Sequence, residues 1–169
     1  QGRSESFFLR DSAGKLSKLP IHGFELTSGD YTKYVLGAPD SIVIGDAYDV
    51  VEEHSLATPL QFALITKTAR FDDEFYYEGD DLGVHPVGSH TDFALWAPTA
   101  NRVMLEVYVD DVKELREMKR TDKGVFRHRY NRNLHGNGYL YHILVNGKWN
   151  QTTDPIARSS FANNKMSAV

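Results

Sequence analysis

The 169 residues contain no cysteine. That excludes a disulfide framework, a thiolate metal site and a cysteine nucleophile, and it favours a reducing compartment, the cytoplasm, over secretion. No run approaches the roughly 18 consecutive apolar residues of a membrane-spanning helix, and no charged, then apolar, then small-residue leader opens the chain. Gln1 to Ser4 read as a cloning remnant in place of a trimmed natural start and are set aside. The seven histidines, His22, His54, His85, His90, His128, His135 and His142, form no close pair with metal-ligand spacing. His128 and His142 fall on strands expected to be neighbours and able to approach each other. No glycine-rich loop opens a helix to cradle a phosphate, and no serine elbow joins a strand to a helix. No metal site, cofactor or catalytic residue is therefore expected.

Basic residues are missing from one stretch. Residues 71–100 carry 7 acidic and 0 basic side chains, whereas residues 101–169 carry 12 basic and 7 acidic ones. The basic excess is spread over strand patterns, while a nucleic-acid footprint needs a concentrated patch on a basic domain, so neither nucleic acid nor membrane is an expected partner. The acidic run reads as a solvated linker between two domains. Its carboxylates, Asp72, Asp73, Glu74, Glu78, Asp80 and Asp81, are adjacent in sequence. Glycosidic hydrolysis needs two carboxyls facing each other across the bond, about 5 to 9 Å apart, and neighbours on a linker do not provide that. Asp80, Asp81 and Gly83 also lack the alternate spacing of a calcium loop.

What is present is strand pattern. Residues 5–10, 15–19 and 21–26 read as short strands, with a turn at residues 11–14, where Asp and Ser bond locally and Gly accepts positive φ. Residues 31–36 are ambiguous between strand and helical turn. Residues 41–44, 47–52 and 60–65 are β-branched and aromatic runs of strand length. Farther on the apolar period is close to two at residues 90–96, 102–109, 125–130 and 139–145. Asn146-Gly147 between two apolar runs predicts a two-residue type I′ hairpin, with Trp149 on the returning strand. Residues 112–119 suit a helix or a loop and short strand, and residues 165–169 a final strand. The expectation is an all-β chain of two small β-sandwich domains, residues 5–70 and 71–169, because antiparallel strands with one apolar face bury each other in pairs of sheets.

Among the aromatics, Trp96 precedes Pro98 in an apolar strand and is expected in the core. Trp149 follows a tight turn, where an exposed indole can cover the apolar face of a pyranose; Lys148, Asn150 and His142 are near enough in the pattern to hydrogen-bond hydroxyls. The competing reading of Trp149 is half-buried core or domain packing.

The stretches Phe75 to Gly83, Thr91 to Ala100, Leu134-His135-Gly136 with Gly138 to Tyr141, and Thr153-Asp154-Pro155-Ile156-Ala157 together resemble type I pullulanases. These are α-1,6-glucan debranching enzymes of glycoside hydrolase family 13. The resemblance covers residues 71–169, and it implies an immunoglobulin-like sandwich of carbohydrate-binding module family 48. Residues 5–70 resemble the N-terminal β-domain of the same enzymes through Phe7 to Asp11 and Thr58 to Gln61. It further implies a bacterial source, and a catalytic barrel that would follow Val169 and serve as a partner of this segment. It implies weak α-glucan contact through Trp149 with His142 and Asn163 as helpers. The loop after the second strand, Tyr108-Val109-Asp110-Asp111, lacks the tryptophan that strong binders of the module family carry there. The rival to this reading is a self-standing β-sandwich module that binds a protein partner.

Overall fold

The computed structural model describes residues 3–27, 31–161 and 165–169. The chain forms two compact units, residues 1–61 and 62–169. In the first, β1 (Phe7–Arg10), β2 (Leu16–Leu19), β5 (Asp49–Glu52) and β6 (Ala57–Pro59) make an antiparallel sheet in the order β2-β1-β5-β6. The turn between β1 and β2 is closed by Asp11, whose carboxylate accepts from the amides of Ala13 and Lys15 at 3.0 and 2.9 Å. A two-stranded ribbon, β3 (Ile21–Leu26) with β4 (Thr32–Leu36), lies against this sheet through the Phe7 and Tyr34 rings, 4.7 Å apart. Residues 41–44, expected as a strand, are a turn-rich segment instead. Ile42 and Ile44 are buried there, so their apolar run signals core anchoring rather than pairing. β6 went unrecognised in the sequence because Pro59 and its exposed neighbours mark an edge with no apolar alternation.

The second unit opens with a short helix where a linker was expected. Residues 60–65 form loop and the start of a 3-10 turn rather than a strand, and α1 (Ala69–Phe75) follows. Thr68 caps α1 by accepting from the Phe71 amide at 3.3 Å, and Phe71 and Phe75, one helical turn apart, are its buried face. The acidic run beyond it is anchored too. Arg127 pairs with Asp81 at 2.7 Å and donates to the Tyr77 hydroxyl at 2.7 Å, while that hydroxyl donates to Asp81.

The rest of this unit is a sandwich of two antiparallel sheets. One has the order β11 (Lys119–Arg120), β12 (Val125–Tyr130), β8 (His90–Trp96), β7 (Gly83–Val87). The other runs β10 (Val112–Glu117), β9 (Arg102–Val109), β13 (Gly138–Val145), β16 (Ser167–Ala168), β15 (Ser159–Ser160), with β14 (Lys148–Thr152) also paired to β13. Strict alternation sends Phe93, Leu95 and Phe126 from the first sheet and Val103, Leu105, Val107, Tyr139 and Tyr141 from the second into one core. The strand expected to open the sandwich, residues 90–96, is preceded by β7, which pairs with it from Gly83 to Val87. The ambiguous segments 31–36 and 112–119 are both strands, since each finds an antiparallel neighbour.

His128 and His142 belong to different sheets, so the expected approach of the two does not occur. Trp96, expected in the core, is 41% exposed. Its indole packs edge-on to Phe71 and its Nε1 donates to the carbonyls of Phe75 and Lys123, both at 3.1 Å. The strand alternation turns Trp96 away from Phe93 and Leu95 onto the helix side.

Candidate functional site

The outer face of the β10-β9-β13-β14 sheet carries the residues singled out in the sequence. The hairpin that presents them forms as expected: Asn146 and Gly147 have φ of 50° and 72°, the doubly positive geometry of a type I′ turn, and Val145 faces Lys148 across it. Trp149 thereby sits second on the edge strand β14, opposite Leu144, and is 45% exposed. His142 pairs with Gln151 and with Met104. Because alternation puts Tyr141 and Ile143 into the core, His142 and Leu144 stand on the open face with Trp149, which is diagonal to His142 in the register. Asn163 lies outside the described residues.

The same face carries a polar cluster centred on Glu106, which is opposite Leu140 in the register. His142 Nε2 donates to Glu106 at 2.7 Å, Lys113 Nζ to the same carboxylate oxygen at 2.8 Å, and the Tyr108 hydroxyl to the other oxygen at 2.6 Å. Glu106 is 1% exposed. Burial by itself would raise its carboxyl, but the hydrogen bonds from Lys113, Tyr108 and His142 and the Lys113 charge win, and it is lowered to about 2. Arg102 and Glu117 pair at 2.8 Å on the same face.

The loop from β9 to β10 presents Asp110 and Asp111, both at positive φ, with Asp110 bridged to Arg132 at 2.9 Å. It offers no ring beside the Trp149 platform. A flat indole with a hydrogen-bonding imidazole on a shallow open face suits stacking on a ring with hydroxyl edges. Away from this face, a hollow of about 260 Å³ is lined by Phe71, Phe75, Tyr76, Leu82 and Trp96 among others. Among the described residues, no group of three or more His, Cys, Asp or Glu side chains could hold a metal ion, and no helix is long and apolar enough to cross a membrane.

Trp149 and His142, singled out in the sequence, share this face with Glu106, Lys113 and Tyr108, which were not singled out. Their only signal was that Glu106 interrupts an apolar strand. That looks like ordinary alternation until the register brings Lys113 and His142 to either side of it.

Residues 81–157 match the family model for carbohydrate-binding module 48, the isoamylase N-terminal domain. A pullulanase of Bacillus subtilis is 33% identical over 138 residues, 81% of this chain and 19% of that protein. The crystal structure of a pullulanase from an Anoxybacillus species, complexed with maltotriose, superimposes with a TM-score of 0.93 at 31% identity, over 100% of this chain and 24% of the other. That of type I pullulanase from Bacillus subtilis, complexed with maltose, gives 0.90 at 29% identity, over 98% of this chain and 23% of the other. The chain thus spans about a fifth of the length of the curated pullulanase it matches. Its motifs, sequence and fold agree: the chain belongs with the N-terminal regions of type I pullulanases and contains a family 48 carbohydrate-binding module.

Proposed function

We propose that this chain is a non-catalytic N-terminal segment of a pullulanase-like α-1,6-glucan debranching enzyme, which supports the catalytic barrel of its parent protein and contacts α-glucan weakly through the outer face of β13 and β14. The observation that carries the glucan contact is the half-exposed indole of Trp149 on an edge strand, diagonal to His142. Aliphatic C–H groups of a glucose ring stack on the indole, and the ring hydroxyls meet the imidazole at its edge. Asn163 is proposed as a further hydrogen-bonding helper. The maltotriose and maltose complexes of the related pullulanases support α-glucan as the ligand class.

Weak affinity follows from the site's small area: one indole, one imidazole and a β9 to β10 loop that brings carboxylates in place of a second ring. The domain boundary proposed at residues 70 and 71 leaves this platform within the second domain. The test is a titration with maltooligosaccharides or β-cyclodextrin followed by tryptophan fluorescence. The expected result is a saturable change at millimolar ligand that Trp149→Ala abolishes. No response, or an equal response in that variant, would refute the glucan contact. Pullulan hydrolysis by this chain is expected to be nil, and measured turnover would contradict the non-catalytic reading.

A further inference from the structure

Glu106 occupies a position that an aliphatic side chain would fill at lower cost. In the register its neighbours across the open face are Leu115 on β10 and Leu140 on β13. A carboxylate taken out of water at such a place costs several kcal/mol unless it is fully paired. It is paired by three donors, one of which, Lys113, keeps a side chain that is 51% exposed.

Its effect on His142 is specific. An ionised carboxylate has no proton to give, so the 2.7 Å contact requires His142 Nε2 to carry the hydrogen. In the neutral imidazole Nδ1 is then a lone pair. Nδ1 has no partner among the described residues, and the His142 side chain is 26% exposed on the face that holds Trp149. The other groups near the ring leave this arrangement intact. β9 contributes Tyr108, which donates to Glu106; β10 contributes Lys113, which does the same; Arg102 and Glu117 engage each other; and Gln151, opposite on β14, is uncharged.

We propose that Glu106 is a positioning residue for α-glucan: it holds His142 as the Nε2–H tautomer, so that Nδ1 stands beside Trp149 as a fixed acceptor for a hydroxyl of the stacked glucose unit. The assignment rests on the glucan reading of the Trp149 platform. It makes the site selective for a sugar that offers a donating hydroxyl at the edge of the ring covering the indole.

The test uses the full chain and two readouts. First, imidazole nitrogen shifts by NMR, at a pH where the ring is neutral, report the tautomer without any ligand. His142 is expected as Nε2–H in the wild type and as a mixture in Glu106→Gln, whose amide can donate or accept. A wild type with Nδ1–H would overturn the proposal even if the variant failed to fold. Second, maltoheptaose affinity is expected to fall about 2- to 10-fold in Glu106→Gln and in His142→Ala, with no further loss when the two are combined. Trp149-dependent binding in which the two losses multiply would overturn the positioning role alone. Absence of maltoheptaose binding by the wild type would overturn the platform reading, and the positioning role with it.

Discussion

Glu106 couples the stability of the module to acid. A carboxyl whose folded value is depressed stabilises the fold above its unfolded value and loses that contribution as the pH falls through the folded value. For Glu106 the window runs from the ordinary 4.5 down to about 2. The stability difference between the wild type and Glu106→Gln, read from denaturant midpoints at stepped pH, is expected to be constant above this window and to shrink across it. Asp154 is a second buried carboxylate with a different task. It accepts from the Tyr139 hydroxyl at 2.8 Å and from the Ile156 amide at 3.0 Å, and its own amide donates to Ser167 Oγ at 2.9 Å. The neighbouring Tyr141 hydroxyl is buried without a partner among the described residues. Asp154→Ala would remove the acceptor of both the Tyr139 hydroxyl and the Ile156 amide, leaving that hydroxyl only its bond with Ser167, and a loss of about 2 kcal/mol is expected in urea unfolding. Trp149→Ala, by contrast, removes an exposed ring; stability is expected to move by no more than about 0.5 kcal/mol.

Strands announced themselves where one face is fully buried and the other is wet. Residues 102–109, 125–130 and 139–145 alternate because Val103, Leu105, Val107, Phe126, Tyr139 and Tyr141 share one core, and their boundaries were legible to within a residue. The Asn146-Gly147 turn was legible because its two positive φ values leave few other residue choices. Elements without that contrast were hidden. α1 has only seven residues, and its carboxylates masked the Phe71 and Phe75 pair. β7 contains Pro86 and Gly83 on a sheet edge, so it lacks a strand's usual composition. Residues 41–44 and 60–65 are apolar for burial at single points and not along a face. One tight junction ties helix to sheet: Gly124 has φ of 71°, and a Cβ there would come within 2.5 Å of Pro98 Cα. Gly124→Ala is therefore expected to lower thermal stability by about 2 kcal/mol or more, combining backbone strain with a clash against main chain. A variant melting with the wild type would show that the junction is slack.

At the scale of the molecule, the two compact units each carry their own buried residues: Phe7, Leu9, Leu19 and Ile44 in one, and the sandwich core in the other. Deleting residues 1–61 is expected to leave a chain that still unfolds cooperatively, with retained near-ultraviolet dichroism from the packed tyrosines. A molten product would show that the second unit depends on the first. The all-β class and the sandwich were legible from period-two patterning, and the family from motifs in their order. Of the candidate site, only the exposed half was legible. An indole beside a turn can be read from a linear sequence, whereas the carboxylate that orients its neighbour emerges only when β9, β10 and β13 are laid side by side. The claim that joins these scales is that α-glucan lies on the β13 and β14 face. Nitrogen–proton NMR of the full chain titrated with maltoheptaose tests it most directly. The Trp149 indole, His142 and Leu144 signals are expected to move together and saturate while the Trp96 indole stays still. Movement centred on Trp96 and Tyr76, or none at all, would contradict it.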